Sequence, residues 1–147
     1  MITIQDIVGP AEPGSCQHEP EVMRGYEHGD GYAIPISCPA LAGYNVKIVR
    51  PCIDGQKARV YLVFEARSGS HAAPIGSLAL LEGGDHILAI AETHRRRGIA
   101  SALVAEGIWH TRHVGDRDFC FVPALRYTEG GHAAFTRAAE MLVEWES

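Results

Sequence analysis

The amino-acid sequence predicts an α+β fold in which a mixed, mostly antiparallel sheet is flanked by helices. Residues 44–91 carry the alternating or continuous apolar patterns of strands, separated by short polar turns. Residues 99–145 instead repeat apolar side chains at helical spacing. A chain of 147 residues is long enough to bury one sizeable core, so we expect one domain spanning residues 1–147.

The predicted strands follow one another as an antiparallel meander. We expect them at residues 45–50, 58–66, 75–81 and 86–91. Val60, Leu62 and Phe64 share one face of the second strand, because successive side chains of a strand point to opposite sides. A Glu-Gly-Gly-Asp turn at residues 82–85 joins the last two strands, since its paired glycines accept the positive φ of a tight hairpin.

The second half of the chain predicts two helices around a short strand. The first helix carries one apolar stripe at i, i+3, i+4, i+7 and i+8, formed by Ala100, Leu103, Val104, Gly107 and Ile108. A short buried strand is expected at residues 119–122. The second helix carries a stripe formed by Phe135, Ala138, Ala139 and Leu142. A last strand at residues 141–145 is an alternative end for this helix.

The N-terminal third lacks such periodicity. Residues 10–45 contain five prolines and several glycines, which interrupt regular structure. Pro35 restricts residues 32–36 to an edge strand, because proline cannot donate to a sheet ladder. We therefore expect residues 1–45 to form an extended Pro/Gly-rich segment ahead of the core.

Composition narrows the classes of partner. The net charge of −5 disfavours non-specific binding of nucleic acid. No stretch approaches the roughly 18 apolar residues of a membrane span, and the N-terminus lacks the basic and apolar regions of a signal peptide. The four cysteines are irregularly spaced without a Cys-x-x-Cys pair. We therefore expect a cytoplasmic protein with reduced thiols, no metal and no membrane partner.

The most informative segment is the turn at residues 94–103, which reads His-Arg-Arg-Arg-Gly-Ile-Ala-Ser-Ala-Leu. It lies between a predicted strand and a predicted helix, whose first amides lack intrahelical partners and carry partial positive charge. Small residues let a phosphate approach those amides, and three consecutive arginines add full charges. The two glycines and lysine of a P-loop are absent, as are the three glycines of a dinucleotide fingerprint. The turn therefore predicts a site for a different pyrophosphate-bearing ligand.

The spacing Arg95-x-x-Gly98-x-Ala100 resembles the acyl-CoA-binding motif Gln/Arg-x-x-Gly-x-Gly/Ala of the GNAT superfamily of N-acetyltransferases. Ile90 stands where the preceding strand ends in that family, and Leu103 stands where its helix carries a leucine. The order of predicted elements over residues 58–145 is also that of the family core. The N-terminal segment departs from the family, in which two helices usually shape the acceptor site, so the acceptor stays unidentified.

The resemblance implies transfer of an acetyl group from acetyl-CoA to a primary amine, by direct attack within a ternary complex. It implies that backbone amides of residues 96–101 bind the pyrophosphate and that residues 88–90 pair with the pantetheine arm. An amide near Ile90 would polarise the thioester carbonyl. A homodimer is compatible with the resemblance. The implied binding residues are Leu88, Ala89, Ile90, Arg95, Arg96, Arg97, Gly98, Ile99, Ala100 and Ser101.

The candidate general base is His86, on the strand that leads into the turn. It shares a face with Leu88 and Ile90, and a histidine with an ordinary pKa near 6.5 suits amine deprotonation. Glu65 and Glu82 are further candidates for the base.

The candidate general acid is Tyr127, in the loop before the last helix, with His132 as an alternative. The alignment through Phe135 puts Thr136 where many family members carry a tyrosine. A threonine has no useful acidic pKa, so a second interpretation stays open, namely a non-catalytic acyl-CoA-binding regulatory module. Binding of nucleic acid through the arginines is a third, disfavoured by the net acidity.

Overall fold

The computed structural model describes residues 1–24, 31–36, 38–66, 73–114 and 121–147. Over these residues a mostly antiparallel six-stranded sheet carries three α-helices, so the predicted α+β class is confirmed. The elements in chain order are α1 (Ile4–Val8), β1 (Tyr32–Ala33), β2 (Tyr44–Val49), β3 (Cys52–Ile53), β4 (Gln56–Glu65), β5 (Gly76–Leu81), β6 (His86–Ile90), α2 (Ile99–Val114) and α3 (Glu129–Glu146).

The sheet has the strand order β1-β2-β4-β5-β6, with β3 paired to β4. Each pairing between the described strands is antiparallel. The four strands predicted from residue 45 onward correspond to β2, β4, β5 and β6. β4 begins at Gln56, before the predicted position, because residues 56–57 pair with β3 across the turn at Asp54. The meander places β6 beside β5 with Leu88 opposite Leu78.

The two faces of the sheet bury different sets of side chains. Tyr61, Val63 and Leu78 face the helices and belong to the larger hydrophobic core. Val60 and Leu62 face the other side and form a smaller cluster with Ala79 and Leu81, against which Phe64 and Met23 pack. This division follows the two-residue period of a strand and agrees with the face predicted for β4.

Helices α2 and α3 lie on the same face of the sheet and share the larger core. Gly107 lets α2 approach β5 closely, because a Cβ at this position would lie 2.7 Å from Cδ2 of Leu78. At the far end of α2, Thr111 Oγ1 accepts a hydrogen bond from Nη1 of the buried Arg59 at 3.1 Å.

None of the helices in the described ranges is both long and apolar enough to cross a membrane.

Several elements differ from the sequence-based expectations. The alternative strand at residues 141–145 is wrong, because α3 continues to Glu146. Leu142 extends the apolar stripe of α3, and Trp145 packs edge-to-face on Trp109 of α2 at 5.7 Å. Of the strand expected at residues 119–122, residues 121–122 form no strand and the other two lie outside the described residues.

Helix α1 was not expected from the sequence. Thr3 caps it by accepting a hydrogen bond from the amide of Asp6 at 3.1 Å. The Asp6 carboxylate in turn accepts from the amide of Thr3 at 3.0 Å. This reciprocal pair is a capping box, and it stabilises a helix too short to show apolar periodicity.

Candidate functional site

A cavity of about 430 Å³ lies between β6, the arginine turn and the first turns of α3. Nine of the ten residues expected to bind acyl-CoA line it, and Arg97 is the exception. The lining residues from the expected set are Leu88, Ala89, Ile90, Arg95, Arg96, Gly98, Ile99, Ala100 and Ser101. The turn, the strand before it and the helix after it therefore meet at one hollow, whose volume is within the range of ligand-binding pockets.

The backbone of the arginine turn changes direction sharply before α2. Arg96 and Gly98 have positive φ values of +65° and +78°. A Cβ at Gly98 would lie 3.6 Å from the Cβ of Ala40, which is ordinary contact, so the dihedral angle and not crowding favours glycine there. Ser101 Oγ donates to the Gly98 carbonyl at 3.2 Å and closes the first turn of α2. The start of this helix, with its free amides, therefore lies at the cavity.

Arg95 connects three parts of the cavity wall. Its Nε donates to the carbonyl of Ile90 at 3.1 Å, which ties the turn back to the end of β6. Its Nη2 lies 3.0 Å from Oε2 of Glu19, the one carboxylate among the lining residues of the described chain. Part of the positive charge of the turn is therefore already paired with an acidic residue from the N-terminal segment.

Residues 9–24, the N-terminal strap, contain no helix or strand and cross the edge of the cavity. The amide of Cys16 donates to the Tyr127 carbonyl at 2.9 Å on the helix side of the sheet. The amide of Met23 donates to Ser77 Oγ at 3.1 Å, and Met23 packs on the opposite face. Between these anchors, Glu19 and Pro20 line the cavity, so the strap forms one of its walls.

His94 is the one histidine among the described lining residues, and the sequence prediction did not include it. Its Nε2 lies 2.6 Å from Oε1 of Glu65, and its Nδ1 lies 2.8 Å from Oγ1 of Thr93. The ring also meets Tyr44 edge-on, at 6.4 Å between centroids. Glu65 and Thr93 therefore hold the imidazole in one orientation at the cavity. In the sequence, the feature that could have identified His94 as a site residue was its position next to Arg95.

His86 lies outside the cavity lining. Its ring packs between Phe121 and Phe135, at 5.0 Å and 4.7 Å between centroids. Neither ring nitrogen has a hydrogen-bonding partner within the described ranges. Burial lowers the pKa of His86 below its usual 6.5, and the Asp85 carboxylate and the Gly84 backbone offset this only in part. Its role as general base stays a prediction.

Tyr127 also lies outside the cavity lining. Its hydroxyl donates to the carbonyl of Val8 at 2.9 Å and so attaches α1 to the core. Burial raises the pKa of this phenol above 10.0. Its role as general acid stays a prediction as well.

The remaining candidate chemistry concerns thiols and metals. Cys16, Cys38 and Cys52 are free thiols, and Cys120 lies outside the described residues. Across the part of the chain that the structure covers, no three His, Cys, Asp or Glu side chains are grouped as metal ligands. The candidate functional site is the arginine-lined cavity.

Burial of His86 predicts a pH-dependent stability. Below about pH 6.5 the unfolded chain binds a proton at this histidine that the folded chain resists, so the free energy of unfolding falls as the pH falls. We expect His86→Leu to flatten this decrease, measured by urea unfolding at about pH 7.5 and about pH 5. Burial also lowers the pKa of His110, and in this variant His110 still contributes to the decrease in stability at low pH.

The exposed His18 provides a matched control for this experiment. An equal flattening in His18→Leu would show that burial of the His86 ring is not the cause. If His86→Leu shows the same pH dependence as the unmodified protein, the ring is not held neutral by the fold.

Comparisons of the chain with protein-family models, with curated proteins and with solved structures find no match. The residues that meet at the cavity are therefore the basis for the function proposed for this chain.

Proposed function

We propose that this protein is an N-acyltransferase that moves an acetyl group from acetyl-CoA to a primary amine. The observation that carries the proposal is the convergence of nine of the ten expected acyl-CoA-binding residues on one cavity. The proposal includes a single catalytic domain, a cytoplasmic location and no requirement for a metal. The acceptor is described only as an amine, because none of the described lining residues selects among amines.

The lining of the cavity has the two kinds of surface that acyl-CoA requires. Arg95, Arg96 and the free amides at the start of α2 offer positive charge to a pyrophosphate. Leu88 and Ala89 of β6, with Ala133 and Ala134 of α3, offer apolar surface to the pantetheine arm. Gly98 leaves the backbone of the turn open to close approach, since it carries no side chain. These features support acyl-CoA over a nucleotide that lacks a long apolar arm.

The chemistry requires little covalent participation from the protein. Acetyl-CoA supplies the activated thioester, and the amine must be neutral to attack it. Attack forms the amide C–N bond and breaks the C–S bond of the thioester, so the CoA thiolate leaves. The protein therefore has to hold both reactants in a fixed geometry, to accept a proton from the amine and to let a proton reach the thiolate. His94 faces the cavity and is oriented by Glu65, while His86 lies two residues from Leu88 on the same face of β6. These two histidines are the candidates for the proton acceptor.

One specific observation favours a second function. In this function the protein is a non-catalytic module that binds acyl-CoA and regulates a partner. The two residues expected to act as base and acid, His86 and Tyr127, both lie outside the cavity lining. Tyr127 donates its hydroxyl to the backbone of α1 at Val8. A regulatory module would bind the same ligand through the same arginine turn but would not turn it over.

Ligand binding tests the element that both functions share. We expect acetyl-CoA and CoA, but not ATP or NADPH, to raise the thermal midpoint. At a hundredfold excess over Kd, binding to the native state alone adds about 2.7 kcal/mol of stability. Gly98→Glu should abolish the shift, because it places a negative charge and a strained backbone at the turn.

Gly55→Glu is the matched control for Gly98→Glu. The φ values of the two glycines are +79° and +78°, and a Cβ at Gly55 meets nothing within 4 Å. Gly55→Glu therefore imposes the same strain and charge away from the cavity, and its CoA-induced shift should equal that of the unmodified protein. Absence of any shift with either CoA species would refute the proposed ligand.

The ion pair between Glu19 and Arg95 predicts that Glu19→Gln tightens CoA binding. The carboxylate lies in the cavity wall and competes with phosphate for the guanidinium. Exposed pairs contribute about 0.2–1 kcal/mol, so we expect a Kd up to about fivefold lower by calorimetry. Glu21→Gln removes the same charge from an exposed strap residue outside the lining and should leave Kd unchanged. Weaker binding in Glu19→Gln would contradict competition.

Turnover separates the two functions. With a panel of primary amines and acetyl-CoA, loss of a general base should lower kcat by about 10²- to 10⁴-fold. We would compare His94→Gln, His86→Gln and Tyr127→Phe with the control His113→Gln, which is exposed and outside the lining. The enzyme function requires that His94→Gln or His86→Gln shows this loss. Binding of CoA without turnover of any amine would support the regulatory module.

A further inference from the structure

A second cationic group lies on the α3 wall of the cavity. Arg137 lines the cavity together with Thr128, Gly130, Gly131, Ala133 and Ala134 of the same wall. Arg95 and Arg96 belong to the turn, which forms a different wall. Cationic side chains therefore line the cavity from two elements, the turn and α3.

The guanidinium of Arg137 can be released to a ligand. Within the described part of the chain its ion pair is with Glu140, at 3.3 Å and one turn further along α3. The two side chains are 56% and 47% exposed, so water screens their attraction. A phosphate that enters the cavity carries more charge than a carboxylate and offers an arginine two oxygens at once.

A ligand that carries two separate anionic groups can use the arginines of both elements. The turn provides for a diphosphate, with Arg95 already bonded to Ile90 and Glu19. CoA carries, besides its diphosphate, a phosphate monoester on the ribose, and this group is nearly doubly charged at neutral pH. An arginine binds such a group more specifically than a lysine, because its planar fork donates two parallel hydrogen bonds.

We propose that Arg137 binds the ribose 3′-phosphate of CoA and makes the cavity discriminate CoA from dephospho-CoA. The inference rests on the proposed function, since it identifies a specificity-determining contact for the same ligand. The turn binds the diphosphate that both molecules share, and Arg137 binds the one group that only CoA carries. The α3 wall thus determines which form of the carrier is accepted.

The experiment is a cycle of two ligands and three variants, measured as Kd by calorimetry. We expect the unmodified protein to bind CoA about tenfold more tightly than dephospho-CoA, as one charge-assisted bidentate contact implies. In Arg137→Ala this preference should fall to about twofold or less, with the Kd for dephospho-CoA nearly unchanged. Arg126→Ala removes an equal charge from an exposed loop residue outside the lining and should keep the full preference.

A third variant should increase the preference for CoA that Arg137→Ala decreases. Glu140→Gln removes the carboxylate that competes for Arg137, so the preference for CoA should increase. Unchanged preference in Arg137→Ala, or an equal loss for both ligands, would overturn the inference and leave the proposed function intact. Failure of both CoA forms to bind the unmodified protein would overturn the proposed function, as would binding of NADPH in their place.

Discussion

The path of the chain from β6 into α2 is the constraint on which the cavity depends. A hydrogen bond of 3.1 Å from Arg95 Nε to the Ile90 carbonyl holds the turn against the end of the strand. Arg96 and Gly98 then take positive φ, and α2 begins at Ile99. The other end of the helix is attached to β4 through the buried contact of Arg59 with Thr111. With both ends held, α2 provides the surface on which α3 packs, and α3 completes the cavity.

The strap gives the irregular N-terminal segment a structural role. Backbone hydrogen bonds attach it on the helix side at Tyr127 and on the opposite side at Ser77. A segment without helix or strand can make this crossing, because its polar backbone groups are satisfied by such local partners and by solvent. Its acidic Glu19 meets the basic turn. The strap therefore contributes both a wall and a charge that a phosphate ligand has to displace.

The electrostatics of the cavity contrast with those of the whole chain. The protein carries a net charge of −5, yet Arg95, Arg96 and Arg137 line a single hollow with one carboxylate in the described lining. A concave site with walls of low polarity concentrates the potential of such charges and attracts anionic ligands. His94 adds an imidazole ring held by Glu65. His86, the first residue of β6, is buried against aromatic rings, and this burial lowers its pKa, so it meets a different environment from His94.

The sequence by itself determined β2, β4, β5 and β6 and the apolar stripes of α2 and α3. These features follow from the local periodicity that strand and helix geometry impose. It also located the arginine turn, whose residues are contiguous. Only the tertiary structure decided which distant side chains join that turn. Glu19 and Arg137 join it through the packing of the strap and α3, and Glu65 of β4 joins it by contacting His94. No local pattern encodes that packing. Residues 141–145 were ambiguous for the same reason, since contacts with α2 decided between strand and helix.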